Sequence, residues 1–215
     1  MKFADKYAPR SFDDLVIEKD NIRRRLQQYA DGTRSKHLLI YGPTGTGKSA
    51  AARVIMEARC GVDCAQFTQP FEGSTFTASD LDMIMNDWNW QFASGTKVAV
   101  TVINEIDLLS VSLREKLKSF MDEKGHMGQI IATTNNLHVL SAPMLRRFDQ
   151  IELPTLTVDG CLERAQRILQ AEGVQISDCN LRYQLEGFEG DLDDMASVLE
   201  DIVLEASEAQ SRQSL

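Results

Sequence analysis

A glycine-rich loop near the start of the chain lies between two segments of different character. The apolar run HLLIY, from His37 to Tyr41, suits a strand buried in a parallel sheet. After the loop, KSAAARVIMEARC is rich in strong helix formers and stops before Gly61. The loop itself, GPTGTGKS, fits the phosphate-binding pattern G-x-x-x-x-G-K-[ST], with a chance glycine turn as the alternative interpretation. A strand, such a loop and a helix in this order predict an α/β sheet that binds phosphate at one edge.

The residues of this loop have separate tasks in a phosphate site. The glycines let backbone N–H groups turn toward the phosphates, and the N-terminus of the following helix adds partial positive charge. Lys48 is expected to reach the β and γ phosphates, and Ser49 to ligate magnesium. We therefore predict nucleotide contacts from Gly42, Pro43, Thr44, Gly45, Thr46, Gly47, Lys48, Ser49 and Ala50.

Strands and helices alternate over residues 37–136, which predicts a P-loop fold with a three-layer αβα parallel sheet. The predicted strands after the loop are CAQFTQ, VAVTVI, GQIIATTNN and QIELP. The predicted helices between them are ASDLDMIMNDWNWQFA, capped by Ser79, and SLREKLKSFMDE. Ahead of the first strand, residues 13–30 carry a helical pattern with Asp20 as its cap.

Beyond Pro154 the pattern contains helices alone. The segments VDGCLERAQRILQAEG, DCNLRYQLEG and DLDDMASVLEDIVLEAS read as three helices separated by glycine or turn residues. We therefore expect an α/β nucleotide-binding domain over residues 1–155, a small three-helix lid domain over 156–207 and a flexible tail over 208–215.

Composition narrows the class of protein. The 215 residues, 43% of them hydrophobic, suffice for one large domain with a small satellite. The net charge of −9 excludes a general electrostatic attraction to nucleic acid or to an anionic membrane, so any such contact must be local. Cys60, Cys64, Cys161 and Cys179 lack C-x-x-C spacing, which favours buried thiols over a metal site. With a polar N-terminus and no apolar run of about 20 residues, we expect a cytoplasmic protein without a membrane segment.

A second motif, VAVTVINEID, ends a predicted strand in polar residues. Asn104 and Glu105 follow the strand at the carboxyl edge of the sheet, where ligands bind in open α/β folds. Glu105 is therefore placed to polarise a water against a γ-phosphate, and Asn104 stands where an aspartate would usually help hold the magnesium shell through water. An amide lacks the full charge that strengthens such hydrogen bonds, so we expect weaker metal affinity or slower turnover. Asp107 as the metal acid is the alternative.

Two further segments carry candidate site residues. The strand IIATTNN ends in Asn135, which is placed to touch the γ-phosphate or the attacking water, although a polar turn after a core strand has the same pattern. In APMLRRFDQIEL, Arg146 and Arg147 precede the last strand. They are either solvated or able to reach the γ-phosphate of another subunit as a finger.

Together these residues resemble the AAA+ ATPases, most closely the clamp-loader branch. The opening KYAPRSFDDLVI is similar to the adenine-side segment of clamp-loader subunits, which implies that Tyr7, Pro9 and Val16 line the nucleotide base. The resemblance further implies ATP and Mg²⁺ as cofactors. It implies the roles of catalytic base, sensor and finger for Glu105, Asn135 and Arg147, respectively. A partner that restrains the base is expected around Gln66 to Gln69.

The chain also departs from the clamp-loader pattern. The finger motif has the form Arg146-Arg147-Phe148, and Asp193 stands where an arginine of the family's second sensor would contact the γ-phosphate. Because an acid repels ATP there, we expect that sensor to be absent. The resemblance also implies a further helical collar domain, and we expect it to be missing because 215 residues leave no room for one.

These features leave three hypotheses. The first is an ATP-hydrolysing module that works in an oligomer with itself or with homologous AAA+ subunits, and that remodels or loads a protein partner such as a sliding clamp or DNA-bound machinery. DNA itself is a possible ligand. The second is a non-hydrolysing ATP-binding scaffold subunit, favoured by Asn104 and Asp193; the third is a small-molecule kinase.

One group of basic residues forms either a solvated helix face or a contact with phosphate or a neighbour: Arg23, Arg24, Arg25, Arg34 and Lys36.

Overall fold

The structure is a computed structural model, and it describes residues 2–60, 69–93, 95 and 98–213, apart from the side chains of residues 209–213. Its strands are β1 (His37–Tyr41), β2 (Phe71–Glu72), β3 (Ala99–Asn104), β4 (Gly128–Thr134) and β5 (Phe148–Glu152). Its helices are α1 (Phe3–Lys6), α2 (Asp20–Ala30), α3 (Lys48–Cys60), α4 (Asp80–Ala93), α5 (Val111–Lys124), α6 (Ala142–Leu145), α7 (Val158–Ala171), α8 (Asp178–Gln184) and α9 (Leu192–Gln213). Short 3-10 turns lie at Phe12–Asp14, Ile106–Leu108 and Leu137–Val139.

The five strands form one parallel sheet in the order β2-β3-β4-β1-β5. Strands β3 and β4 are buried along their whole length, and β1 is buried up to Tyr41. Parallel strands covered on both faces need such continuous apolar runs, which is why these segments could be recognised in the sequence. The strand order sets the ends of β3, β4 and β1 side by side at one edge.

Helices cover both faces of the sheet. On one face, α2 and α3 pack through Leu26 and Ile55 against Leu38 of β1 and its neighbours. On the other face, α4 and α5 pack through Trp88 and Leu117 against alternate residues of the same strands. The predicted three-layer αβα parallel-sheet fold is therefore confirmed.

Two polar side chains of α4 tie that helix to β3. The side chain of Gln91 pairs with the backbone of Val100 as a neighbouring strand would. Its Nε2 donates to the carbonyl of Val100 at 2.9 Å, and its Oε1 accepts from the amide of Val100 at 2.7 Å. The indole of Trp88 donates to the hydroxyl of Thr101 at 2.8 Å. All six polar groups in these three hydrogen bonds are buried and paired, so the helix is held in one register on the sheet.

A third core forms among the helices after the sheet. Leu169 of α7, Leu181 of α8 and Leu199 of α9 are fully buried together. Residues of the N-terminal segment, among them Phe3 and Tyr7, pack against this core. The N-terminal segment therefore contacts the C-terminal helices as well as the sheet domain.

Several boundaries differ from those the sequence predicts. The helix expected over 13–30 begins at Asp20 and is preceded by the 3-10 turn Phe12–Asp14. This turn ends at Leu15, where the backbone is extended with φ −78° and ψ 132°. The predicted cap Asp20 is accordingly the first residue of α2. Helix α9 runs to Gln213, past the start of the expected tail. The predicted strand CAQFTQ lies mostly outside the described residues.

Among the described residues, no helix is both long enough and apolar enough to cross a membrane. In the same part of the chain, no group of three or more histidine, cysteine, aspartate and glutamate side chains is arranged to hold a metal ion. Cys60, Cys161 and Cys179 form no disulfide, and Cys64 lies outside the described residues. Burial raises the pKa of the Cys161 thiol to about 12, which keeps this thiol protonated and unreactive.

Candidate functional site

A cavity of about 420 Å³ lies at the carboxyl edge of the sheet, beside the loop that joins β1 to α3. Its walls come from three parts of the chain: the loop and the strand ends, the N-terminal segment, and the start of α9. In an open α/β fold this edge is where ligands bind, because the loops after the strands converge there. Each wall contributes residues of a different kind.

The loop between β1 and α3 has a backbone that only glycine permits. Gly42, Gly45 and Gly47 have φ angles of 147°, 76° and 82°. A Cβ on Gly42 would lie 2.0 Å from the carbonyl oxygen of Leu153, and a Cβ on Gly45 would lie 2.1 Å from Cγ of Asp191. The loop therefore needs its glycines both for its turn and for close contact with chain segments that follow much later.

Lys48 begins α3 and points back over the loop. It is 7% exposed, and its Nζ donates to the carbonyl of Pro43. Burial lowers the pKa of this ammonium, while the nearby carboxylates of Asp107, Glu105 and Asp191 act in the opposite direction. A cation at the N-terminus of a helix is suited to bind phosphate.

Glu105 has the left-handed backbone conformation, with φ and ψ both 51°. Its amide donates to the hydroxyl of Thr133 at 3.1 Å, which ties the end of β3 to the end of β4. Glu105, Thr133 and Asn135 all line the cavity. A second bond between the same strand ends runs from the Thr134 hydroxyl to Asp107 at 2.6 Å. The expected catalytic base and sensor are thus brought together with the phosphate loop.

Asn104 is not among the residues that line the cavity. It is 7% exposed, and both polar atoms of its side chain have partners on neighbouring strands. Its Nδ2 donates to Oε1 of Glu72 at 2.9 Å, and its Oδ1 accepts from the hydroxyl of Thr133 at 3.3 Å. The structure therefore separates Asn104 from the other expected site residues and engages it within the sheet.

The N-terminal segment forms the apolar wall of the cavity. Tyr7, Pro9 and Val16, the residues expected beside a nucleotide base, all line it. The hydroxyl of Tyr7 donates to Glu172 at 2.7 Å, and Lys6 pairs with the same carboxylate at 2.6 Å. Hydrogen bonding to Lys6 lowers the pKa of Glu172, so this carboxylate stays charged. The segment is thereby fixed to the end of α7.

The start of α9 closes the cavity over the phosphate loop. The amide of Leu192 donates to the carbonyl of Gly45 at 3.0 Å. Asp191 caps the helix by accepting from the amide of Asp193 at 2.8 Å, and its carboxylate lies against Gly45. Asp193 and Met195 line the cavity, so an acid does stand on this wall.

Arg147 lies outside the cavity of its own chain. Its guanidinium pairs with Asp122 of α5, with Nε to Oδ1 at 2.8 Å and Nη2 to Oδ2 at 2.5 Å. Arg146 is exposed, and its backbone amide donates to the carbonyl of Ala142 at 3.1 Å. Neither arginine is placed to act on a ligand bound by the same chain.

The basic residues near α2 have mainly internal partners. Arg25 and Arg34 pair with Asp149 at 2.7 Å and 2.8 Å, and Arg23 donates to the carbonyls of Phe12 and Leu15. Arg24 and Lys36 are exposed. These three arginines are therefore engaged within the fold. The interpretation as a solvated helix face applies to Arg24 of α2, whereas Lys36 is exposed in the bend before β1.

The arrangement fits a nucleoside triphosphate with magnesium. The glycine cradle leaves room for phosphate, Lys48 supplies a buried positive charge, and the exposed hydroxyl of Ser49 and the carboxylate of Glu105 offer oxygen atoms of the kind that Mg²⁺ prefers. The apolar N-terminal wall suits a base and the polar end suits phosphates. Residues Thr44 to Ala51 line the polar end.

Sequence reasoning missed three residues of this region. Thr133 and Glu72 engage Asn104, and Asp191 covers Gly45. Asp191 carried one readable signal, since an aspartate after Gly190 and before a helical pattern is typical of a cap. The restraining partner expected around Gln66 to Gln69 lies, except for Gln69, outside the described residues.

The fold and the cavity define a P-loop nucleotide-binding protein. Its sequence matches the profile of the AAA family, described as ATPase family associated with various cellular activities, over residues 38–155. Since this match covers more than half of the chain, the protein belongs to the AAA ATPase family.

Relatives with known names extend this comparison. The chain is 26% identical over 193 residues to replication factor C small subunit 2 of Pyrobaculum arsenaticum, an alignment covering 87% of this chain and 59% of the relative. It is 24% identical over 211 residues to replication factor C subunit 4 of Caenorhabditis elegans, covering 89% of this chain and 60% of that protein. The resemblance to the clamp-loader branch is thus confirmed, and the chain spans about 60% of the length of these relatives.

Solved structures support the fold. The RuvB Holliday junction branch migration motor of Thermotoga maritima superposes with a TM-score of 0.71 at 21% identity, covering 97% of this chain and 73% of that chain. A second structure of RuvB from the same organism, carrying a single substitution, superposes with a TM-score of 0.68 at 22% identity and covers 94% of this chain and 72% of that chain. At this level of identity the likeness concerns the AAA+ fold.

Proposed function

We propose that this protein is an ATP-hydrolysing AAA+ module that works in an oligomer and, like a clamp loader, couples its nucleotide state to the loading or remodelling of a protein partner on DNA. The observation that carries this proposal is the convergence of Lys48, Glu105 and Asn135 on one cavity. A base and a sensor beside the phosphate loop have no evident use in a site that only binds. The similarity to replication factor C small subunits supports the clamp-loader class.

In this proposal each residue of the cavity has a task in hydrolysis. Lys48 and Ser49 hold the phosphates, and bound Mg²⁺ neutralises charge on the transferred phosphoryl group. Glu105 orients the attacking water, and Asn135 contacts the γ-phosphate or that water. Tyr7, Pro9 and Val16 enclose the base. The helices after residue 156 act as a lid, since the amide of Leu192 is bonded to the carbonyl of Gly45.

The site is completed by a neighbouring subunit. Arg147 lies outside its own cavity, so any contact with a γ-phosphate is made in trans. Such an arginine finger contributes about 10³ to 10⁵ in rate. Partners are therefore other copies of this chain or homologous AAA+ subunits, and the loaded protein is a sliding clamp or similar DNA-bound machinery in the cytoplasm.

A second function is favoured by two observations. Asn104 contributes no charged group to the cavity, and Asp193 places an acid on the cavity wall. Both features weaken a hydrolytic site and are tolerable in a subunit that binds ATP only to order an interface. The alternative is therefore a scaffold subunit that binds ATP without hydrolysing it.

The deciding experiment measures ATP turnover per subunit with Mg²⁺ at rising protein concentration, with and without primed DNA. We expect a rate that rises with concentration, loss of ATP binding in Lys48→Ala, and retained binding without turnover in Glu105→Gln. A flat rate near zero, together with tight ATP binding, would establish the scaffold function. Normal turnover in Glu105→Gln would overturn the assignment of the base.

A further inference from the structure

The short strand β2 sets Glu72 directly beside Asn104. The two strands pair in parallel with Phe71 opposite Ile103 and Glu72 opposite Asn104. The side-chain amide of Asn104 uses this register to donate to the carboxylate of Glu72 at 2.9 Å. The register of the two parallel strands therefore brings these two side chains together.

From Glu72 the hydrogen bonds continue to the expected catalytic base. Asn104 Oδ1 accepts from the Thr133 hydroxyl at 3.3 Å, and the same hydroxyl accepts from the amide of Glu105 at 3.1 Å. Asn104 and Thr133 are 7% and 1% exposed, so solvent offers little competition for these bonds. An exposed carboxylate at the sheet edge is thus linked to the backbone of Glu105.

Glu105 needs such support because of its backbone. Within the described residues, Glu105 is the one non-glycine residue with a positive φ, which is 51°. This conformation is unfavourable for a residue that has a Cβ atom. Gly73, which follows Glu72, also contacts the backbone of Asn104 and Glu105. The amide of Gly73 donates to the carbonyl of Asn104 at 2.8 Å, and a Cβ on Gly73 would lie 2.1 Å from the carbonyl oxygen of Glu105.

The chemistry of residue 104 follows from its neighbour. An aspartate at 104 would face the Glu72 carboxylate at the distance of the present 2.9 Å hydrogen bond, and two anions would repel each other there. An amide instead donates to the acid and accepts from Thr133. The asparagine that weakens the expected metal shell is therefore the residue that Glu72 requires.

We propose that Glu72 is a positioning residue, which acts through Asn104 and Thr133 to hold Glu105 in the orientation that hydrolysis needs. The proposal rests on the function proposed above for Glu105. Glu72 and Asn104 form a complementary pair of a carboxylate and an amide. Placing the amide at residue 72 and the carboxylate at residue 104 preserves the hydrogen bond between them. The isolated substitution Asn104→Asp, although it restores an acid, impairs the site.

Nuclear magnetic resonance tests the connection without any nucleotide. In Glu72→Ala the Asn104 amide loses its acceptor, and we expect the backbone amide resonance of Glu105 to shift and its hydrogen exchange to accelerate. Glu72→Gln retains an acceptor oxygen and should leave that resonance close to its wild-type position. The matched control is Glu152→Ala, an exposed acid that ends β5, the opposite edge strand. An unchanged Glu105 amide in Glu72→Ala would overturn the proposal.

Kinetics and the exchanged pair complete the test. We expect Glu72→Ala and Asn104→Asp each to lower kcat about tenfold while the Kd for ATP changes little. The double variant Glu72→Gln with Asn104→Asp should recover most of the lost rate. Absence of recovery, with an intact fold, would contradict the complementary pair. A wild-type chain without turnover, but with the Glu105 amide sensitive to Glu72→Ala, would refute hydrolysis and leave the positioning contact established.

Discussion

Arg147 and Asp122 form a two-pronged ion pair within one chain, with Nε to Oδ1 at 2.8 Å and Nη2 to Oδ2 at 2.5 Å. This hydrogen bonding lowers the pKa of the Asp122 carboxyl and raises that of the guanidinium, so both groups remain charged. An arginine that acts on a neighbouring subunit must leave this partner first. Under the trans-acting role proposed above for Arg147, this contact competes with assembly of the complete site.

Releasing this arginine should favour activity at low protein concentration. In Asp122→Asn the guanidinium loses its charged partner, and we expect half-maximal turnover at a protein concentration a few-fold lower than in the wild type. Because the pair is at the surface, the unfolding temperature should change little. Glu123→Gln, an exposed acid on the same helix, is the control. An unchanged or higher concentration requirement would show that Asp122 does not compete with assembly.

The two adjacent arginines should differ sharply in their effect on turnover. Arg147→Ala is expected to leave the Kd for ATP intact and to lower kcat by about 10³ or more, since a finger acts on the transition state. Arg146→Ala, next to it and exposed, should keep most of the wild-type rate. Both values come from nucleotide titration and steady-state turnover. Equal losses in the two variants, or normal turnover in Arg147→Ala, would contradict the assignment.

Reversing the charge of residue 193 should tighten ATP binding. Asp193 lines the cavity at the first turn of α9, so Asp193→Arg places a cation on the wall where an acid now stands. We expect the Kd for ATP to fall about tenfold, which is about 1.4 kcal/mol. Asp201→Arg makes the same charge change at an exposed position of the same helix. Tighter binding in both variants would point to net charge instead of to the cavity wall.

His37 should make folding stability depend on pH. It is 9% exposed, its Nδ1 accepts from the amide of Ile130 at 3.0 Å, and burial lowers its pKa from 6.5 to about 4. Between these two values the unfolded chain binds a proton that the folded chain does not. The free energy of unfolding therefore falls as the pH decreases from 6.5 toward 4, by up to about 3 kcal/mol.

Chemical denaturation of the wild type and of His37→Asn measures this effect. The asparagine oxygen can accept from Ile130 and does not titrate, so the variant should lose less stability over the same pH interval. The difference between the two proteins isolates His37 from the carboxyl groups, including nearby Asp122, that also titrate at low pH. Parallel pH profiles would show that His37 does not cause the dependence.

Much of the site was readable because its signals are local. The glycine pattern of GPTGTGKS predicts the backbone conformation of the loop. The flanking segments HLLIY and KSAAARV predict the strand before it and the helix after it. Glu105 and Asn135 follow apolar strands, and parallel strands bring their carboxyl ends to one edge. Local pattern and the rule for parallel sheets were together sufficient to place these residues at one cavity.

Other relationships could not be read in this way. Strand β2 is two residues long, which is too short for a periodic pattern. The pairing of Glu72 with Asn104 could therefore not be predicted from the sequence. The contact of Asp191 with Gly45 joins residues far apart in the chain. The sequence pattern placed Asn104 in the expected magnesium shell, because the pattern does not reveal that its side chain contacts Glu72 and Thr133.

The sequence by itself determined the αβα fold, the phosphate loop and the residues at the strand ends, because these depend on hydrophobic periodicity and on the conformational freedom of glycine. Only the tertiary structure decided which side chains those residues contact. It set Asn104 between Glu72 and Thr133, and Arg147 against Asp122. Such contacts depend on strand register and helix packing across long sequence separations, and the short-range pattern of a chain does not encode them one pair at a time.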